Sequence, residues 1–263
     1  MIVKFFKYQG AGNDFVMLDN RLGEYSKLTG FEINKLCNRN FGIGADGLIM
    51  LENAEKYHFG MRYFNADGNE STMCGNGGRC TVAFAKHLGI EKTEYNFMAI
   101  DGEHKALITN DKLVQLQMID TLQIQPKLHG KFLNTGSPHF VLFVENLAEI
   151  DVFNQGKILR NHQAMGKGGA NINFVEKLEN GIKVRTYERG VENETLACGT
   201  GSVASAICFA SNGLPGAKSV AVEMPGGKLI VEFTESETGF NNVWLTGPAC
   251  FVFEGTINLR NCY

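Results

Sequence analysis

Glu70-Ser71-Thr72-Met73-Cys74-Gly75-Asn76-Gly77 and Glu194-Thr195-Leu196-Ala197-Cys198-Gly199-Thr200-Gly201 are two copies of one pattern, E-x-x-x-C-G-x-G. They stand close to half a chain length apart in a chain of 263 residues. Each follows a strand-like run, Met61-Arg62-Tyr63-Phe64 in the first and Ile182-Lys183-Val184-Arg185-Thr186-Tyr187 in the second. Each leads into a helical stretch of small and apolar residues, Arg79 to Leu88 before Gly89 and Ser202 to Ser211 before Gly213. A second pair repeats at nearly the same spacing: Gly12-Asn13-Asp14-Phe15-Val16 opens one half, and Gly136-Ser137-Pro138-His139-Phe140-Val141 opens the other. Solenoid repeats run only roughly 20–50 residues. So long a period predicts two similar α/β domains instead.

Outward from the motifs, short apolar runs read as strands: Leu48-Ile49-Met50-Leu51, Leu113-Val114-Gln115-Leu116, Val220-Ala221-Val222 and Leu229-Ile230-Val231-Glu232-Phe233. Residues 81–85 and 203–210 are small and apolar nearly all round, the composition of a buried helix. The expected fold is α/β (α+β), with each half a sheet of many short strands wrapped around one central helix. Gln117 to Lys127 is the candidate boundary, giving domains at 1–120 and 121–249. The strand-like segment Cys250 to Leu259 is a candidate to return to the first domain.

Composition narrows the function. Hydrophobic residues make up 44% and charged residues 20%, enough for a core and a soluble surface. The formal net charge of -3 argues against a nucleic-acid or membrane-surface partner, which calls for a basic excess. No apolar run reaches the roughly 18–20 residues of a membrane span. The first residues, Met1-Ile2-Val3-Lys4-Phe5-Phe6-Lys7, read as a strand rather than a signal peptide. Seven cysteines are diluted through the chain, which fits a reduced, cytoplasmic protein. A zinc site fits poorly, because no C-x-x-C occurs. Gly42-Ile43-Gly44-Ala45-Asp46-Gly47 matches G-x-G-x-x-G, but a helix-like segment (Phe31 to Asn38) precedes it and a strand follows. That is the reverse of a dinucleotide site, so it reads as a turn.

The chemistry lies in the duplicated cysteine. Cys74 precedes glycines expected to make a tight turn, with a helix following. A helix N-terminus offers unpaired N–H groups and a positive dipole end, which favour a thiolate and can hold a carboxylate. Cys198, Gly199 and Thr200 repeat the arrangement. If pseudo-twofold symmetry relates the two domains, the thiols face each other. One thiolate then removes a Cα hydrogen and the other thiol returns a proton from the opposite side. One C-G-x-G alone would be packing; two with the same glycines and acid point to cofactor-independent epimerisation. Cys37, Cys80, Cys208, Cys250 and Cys262 lack this context and read as structural.

Tyr8-Gln9-Gly10-Ala11-Gly12-Asn13-Asp14-Phe15-Val16, Gly42 to Gly47, Phe64-Asn65-Ala66-Asp67-Gly68, Cys74 to Cys80, Glu188-Arg189-Gly190 and Ala197 to Gly201 together resemble diaminopimelate epimerase, in order and over nearly the whole chain. The resemblance implies two pseudo-symmetric domains, each a mostly antiparallel, barrel-like sheet around a central helix, usually as a homodimer. It implies interconversion of LL- and meso-2,6-diaminopimelate without pyridoxal phosphate or metal, in lysine and peptidoglycan precursor synthesis. Catalysis would fall to Cys74 and Cys198, tuned by His139 and Glu188. Asn13, Asn65, Asn171, Glu188 and Arg189 would bind substrate, mostly its distal end. Gly75-Asn76 and Gly199-Thr200 would hold the reacting carboxylate.

The chain departs from the family pattern in places. Ser137 stands where many members carry a substrate-binding asparagine, and Gly47 where some have glutamine. The connection from Glu188-Arg189-Gly190 to Cys198 is one residue longer than in many members. Ala164-Met165-Gly166-Lys167-Gly168-Gly169 replaces an aromatic-proline stretch before Asn171. Two other readings use the same residues. A proline racemase-like enzyme shares the two-thiol logic but has no distal ammonium and carboxylate to recognise. A Cys–His acyl-transfer enzyme, with His139 as base, leaves the second motif unexplained.

Overall fold

Two helices and the strands around them repeat in the same order through the chain. The computed structural model describes residues 1–110, 113–211, 218–237 and 239–261. Gly213 and Cys262, both named above, lie outside the described residues. The chain divides into two units, Met1–Leu116 with Gly247–Tyr263, and Gln117–Thr246.

The first unit runs β1 (Ile2–Gly10), β2 (Asn13–Asp19), α1 (Gly30–Cys37), β3 (Gly47–Glu52), β4 (Phe59–Asn65), β5 (Glu70–Ser71), α2 (Gly75–His87), β6 (Glu94–Ala99), β7 (Gly102–Asn110) and β8 (Leu113–Gln117). β1 pairs antiparallel with β2 and β2 parallel with β3. β3 pairs antiparallel with β4, and β4 with the short β5. β4 then pairs parallel with β6, which continues antiparallel through β7 to β8. The second unit has β9 (Gln125–Lys127), β10 (Gly130–Asn134), β11 (Pro138–Phe143), α3 (Val152–Arg160), β12 (Asn171–Leu178), β13 (Gly181–Glu188), β14 (Asn193–Thr195), α4 (Gly199–Ala210), β15 (Ser219–Met224), β16 (Gly227–Ser236) and β17 (Gly239–Pro248). From β10 onward its pairings repeat the first unit's sequence of parallel and antiparallel steps. The final strand, β18 (Cys250–Asn258), pairs antiparallel with β1, as β9 pairs with β10.

In each unit the sheet packs on one buried helix. α2 lies against β1, β2, β3, β4, β7 and β18, and α4 against β10, β11, β12, β13, β15 and β16. These helices begin with poor helix formers: Gly75, Gly77 and Gly78 in α2, Gly199 and Gly201 in α4. Each glycine costs about 1 kcal/mol relative to alanine. Burial of Val82 and Phe84, or of Val203 and Ile207, offsets this by about 1.5–3 kcal/mol per large side chain.

Both helices start earlier than the sequence suggested, immediately after the cysteine. The expected glycine turn is therefore corrected: Gly75, Gly77, Gly199 and Gly201 do not have positive φ and lie within the first helical turns. Gly77 and Gly201 are needed for room. A Cβ on Gly201 would lie 2.5 Å from Asn173 Oδ1 and 3.2 Å from Cys198 Sγ. Among the described residues no helix is long and apolar enough to cross a membrane.

Candidate active site

The motif glutamate has a structural task that the sequence did not disclose. In the first copy Arg62 on β4 forks onto Glu70, Nε to Oε1 at 3.0 Å and an Nη to Oε2 at 3.1 Å. In the second, Arg185 on β13 forks onto Glu194, both contacts at 2.7 Å. Each bidentate pair fastens the short strand, β5 or β14, that leads to the cysteine. The arginine eight or nine positions before each glutamate was the available signal.

Cys74 and Cys198 are the N-cap residues of α2 and α4. Neither supplies a side-chain cap, and neither first turn contains an acidic residue. Helix starts normally recruit such groups. The absence of an acidic group in either first turn is the setting in which a helix start can take an external anion.

In the first unit, Cys74 Sγ donates to Asn13 Oδ1 at 3.6 Å, and Asn76 Nδ2 donates to the same oxygen at 3.2 Å. Asn13 Nδ2 donates to Asp46 Oδ2 at 2.7 Å. Asp46 is gripped by Arg39 at 2.6 Å, Arg39 also holds Asp14 at 2.7 Å, and Lys7 pairs with Asp14 at 2.6 Å. Burial works against the Asp14 charge, but hydrogen bonds and charge from Arg39 and Lys7 prevail and lower its pKa to about 2. Sequence reading missed this ion cluster, whose members come from three separate segments. Asn65 ends β4 with an exposed side chain, opposite Gly47 in the β3–β4 register. The space where a side chain on Gly47 would go is filled by Tyr63 Cε2 and Phe64 O, each 2.6 Å from its ideal Cβ.

In the second unit, His139 is fully buried on β11. Burial first, then the positive charge of Arg189, lowers its pKa to about 3, against a smaller opposing effect from Asn173. The ring is neutral, and its tautomer follows from its neighbours. Asn173 Nδ2 donates to Phe140 O at 3.2 Å, which fixes the amide, and lies 3.1 Å from His139 Nδ1. Nδ1 is thus the acceptor and Nε2 carries the proton. Nε2 donates to Thr200 Oγ1 at 2.9 Å, leaving the threonine proton for Cys198 Sγ at 3.6 Å. Asn171 Nδ2 lies 3.4 Å from Nε2 but has better acceptors in Ser137 Oγ (2.7 Å) and Pro138 O (3.2 Å). Asn171 Oδ1 accepts from the Arg189 backbone N–H at 2.8 Å. Asn171 therefore orients Ser137 and the start of the Arg189 loop. Glu188 Oε2 accepts from Thr195 Oγ1 at 2.9 Å. Among the described residues, the Arg189 guanidinium and the Asn65 side-chain amide make no hydrogen bond or ion pair.

The predicted residues thus gather in two groups. Asn13, Gly75 and Asn76 surround Cys74, with Gly47 and Asn65 at the end of the β3–β4 pair. Ser137, His139, Asn171, Glu188, Arg189, Gly199 and Thr200 accompany Cys198. The other described cysteines lie elsewhere: Cys37, Cys80 and Cys208 are buried with raised pKa values, Cys37 and Cys208 to about 12, and Cys250 is half-buried on β18. Among the described residues, no group of three or more His, Cys, Asp or Glu is placed to hold a metal ion.

The buried neutral His139 has a consequence for stability. Its folded pKa lies below the unfolded value of about 6.5. The unfolded chain therefore binds the extra proton, and this group's contribution is lost as pH falls from about 6.5 toward 3. Asp14 acts in the same direction but only below about pH 4. Urea unfolding between pH 7 and 4.5 should show a loss approaching about 1.4 kcal/mol per pH unit. His139→Gln should flatten that slope; an equal slope in the variant would count against a neutral buried ring.

A family model described as diaminopimelate epimerase matches residues 5–121 and 131–252. The chain is 50% identical over 256 residues to the diaminopimelate epimerase of Flavobacterium psychrophilum, covering 97% of this chain and 100% of that protein. It is 42% identical over 259 residues to that of Chlorobaculum tepidum, covering 95% and 99%. A solved structure with the same fold is the Bacillus anthracis phenazine biosynthesis protein of the PhzF family, at TM-score 0.78 and 17% identity over 98% of this chain and 99% of that one. The repeated motif, the repeated topology and these likenesses agree: the chain belongs to the diaminopimelate epimerase family.

Proposed function

We propose that this chain interconverts LL- and meso-2,6-diaminopimelate, without pyridoxal phosphate or metal, in lysine and peptidoglycan precursor synthesis. The observation that carries this reading is the cysteine at the N-cap of a helix with no acidic residue in its first turn, in each of two units of the same topology. The first-turn N–H groups of α2 and α4 bind the carboxylate beside the reacting carbon and stabilise the charge that develops on it. One thiolate takes the Cα proton as the C–H bond breaks and becomes a thiol. The other thiol gives its proton to the opposite face and becomes a thiolate. The stereocentre inverts, and the pair is left ready for the reverse reaction.

Arg189 and Asn65, each with an uncommitted polar end, suit the carboxylate and ammonium at the far end of the substrate. A proline racemase has no such end to bind. The acyl-transfer reading is disfavoured by His139, whose low pKa makes it a poor base and which reaches Cys198 through Thr200. The proposal includes a reducing, cytoplasmic setting, because both thiols must stay reduced. It also includes a homodimer, consistent with exposed Ile2, Phe251, Val252 and Phe253 on the paired β1 and β18; sedimentation equilibrium reads it directly.

The testing experiment is incubation with LL-diaminopimelate in deuterium oxide, followed by NMR. The expected result is deuterium at Cα together with the meso isomer. Exchange with proline but not diaminopimelate would move the chain to the racemase reading, and no exchange with either would end the enzyme assignment.

A further inference from the structure

Two charged residues hold the amides beside Cys74 in one direction. The Asp46 carboxylate can only accept, so the Asn13 end that meets it at 2.7 Å is the NH2 group. The guanidinium of fully buried Arg79 can only donate, so the Asn76 atom it meets at 2.8 Å is Oδ1. Asn76 Nδ2 is thereby turned to Asn13 Oδ1 at 3.2 Å. The two constraints agree, and the relay runs Arg79 to Asn76 to Asn13 to Asp46. Its result is that Asn13 presents an oxygen, not an N–H, to Cys74 Sγ.

We propose that Asp46 and Arg79 are positioning residues that lock Asn13 with its carbonyl oxygen toward Cys74, so that this contact favours the thiol form of Cys74. The contrast with Cys198 is built in, since that sulfur meets the hydroxyl of Thr200, which can donate to a thiolate. The lock sets Cys74 as the readier proton donor, while the helix start keeps its thiolate accessible. Within its unit, the titratable groups near this site include Arg79 and Cys80 on α2, Tyr8 on β1 and Cys250 on β18 beside Cys80, and Tyr63 on β4 beside Gly47. Asp14, Lys7 and Arg39 stand behind Asp46, and Asp101 with His104 lies behind Met73. Arg79 attracts negative charge to Cys74 through space, and Asp46 repels it. A test must separate that effect from the hydrogen-bond lock.

This inference rests on Cys74 being a reacting thiol of the proposed epimerase, yet it is read with no substrate present, so the two readings fail separately. Iodoacetamide alkylation of Cys74 and Cys198 is followed by peptide mass spectrometry from pH 6 to 10. The proteins are wild type, Asp46→Asn, Asn13→Ala and the double variant, each checked for folding by thermal melting. Unlike the carboxylate, the amide of Asp46→Asn can donate as well as accept, so Asn13 can turn its NH2 to the thiolate and give up only the 3.2 Å contact from Asn76. Asp46→Asn should then speed Cys74 alkylation at pH 7 about tenfold, the effect of one pKa unit, and leave Cys198 unchanged. In the Asn13→Ala background the same substitution should change the rate less than about twofold. Equal acceleration in both backgrounds would assign the effect to charge alone and overturn the lock, as would no acceleration in the folded single variant. If Asp46→Asn does not fold, Asn13→Ala alone decides: removal of the acceptor should speed Cys74 alkylation, and an unchanged or slower rate overturns the proposal.

Discussion

Replacing either Cys74 or Cys198 by alanine is expected to lower the rate of inversion by at least about 10³-fold, with little loss of stability. Each alanine removes one of the two proton-transfer groups, and neither the neutral His139 nor a helix N–H can replace a thiol at that position. Proton loss and proton return should separate in these variants. With one thiol left, the remaining thiolate can still remove a proton from the isomer whose Cα–H faces it, and can return deuterium to the same face. Slow exchange without inversion is therefore expected, from opposite isomers in the two variants. The measurement is the NMR assay above, with each isomer supplied separately. A single-cysteine variant that keeps about a tenth of wild-type inversion would sink the two-base reading.

Arg189→Met should lower kcat/KM for diaminopimelate by about 10²–10³-fold, the usual cost of removing one partner from a desolvated charge pair. Methionine keeps much of the side chain's bulk and removes the fork. In the free protein the half-buried guanidinium makes no hydrogen bond or ion pair among the described residues, so its cost of desolvation is offset only when a carboxylate arrives. The loss should appear in kcat as well as KM, because distal binding holds the reacting carbon in place. An analogue lacking the distal carboxylate should be as poor a substrate for wild type as diaminopimelate is for the variant. Equal kcat/KM for diaminopimelate in both proteins would remove Arg189 from the site.

The duplicated cysteine motif, its strands and its helices were legible because each is a local pattern. The return of β18 to β1 was open in the sequence, since an apolar strand does not name its partner. The side-chain network was less legible for the same reason. Asp46 and Asn13 are 33 positions apart, and His139 and Asn173 are 34, so no periodicity joins them. The glycines of the cysteine motif were misread as a turn because glycine signals both positive φ and close approach. Only the backbone distinguishes these: Gly201 is helical and passes close to Asn173. Gly47 illustrates the same limit, since Tyr63, which occupies the adjacent space, is fixed by the β3–β4 register.

The pairing of β18 with β1 also orders events on the ribosome. Ile2 meets Asn258 and Lys4 meets Thr256, so β1 has only β2 beside it until the whole second unit has been made. The nascent first half must wait with β1 exposed along one edge, where another chain could add to it. The second unit carries its own β9 beside β10 and meets no such delay. Domains of a growing chain usually fold in the order they emerge; here the half translated first is the half completed last.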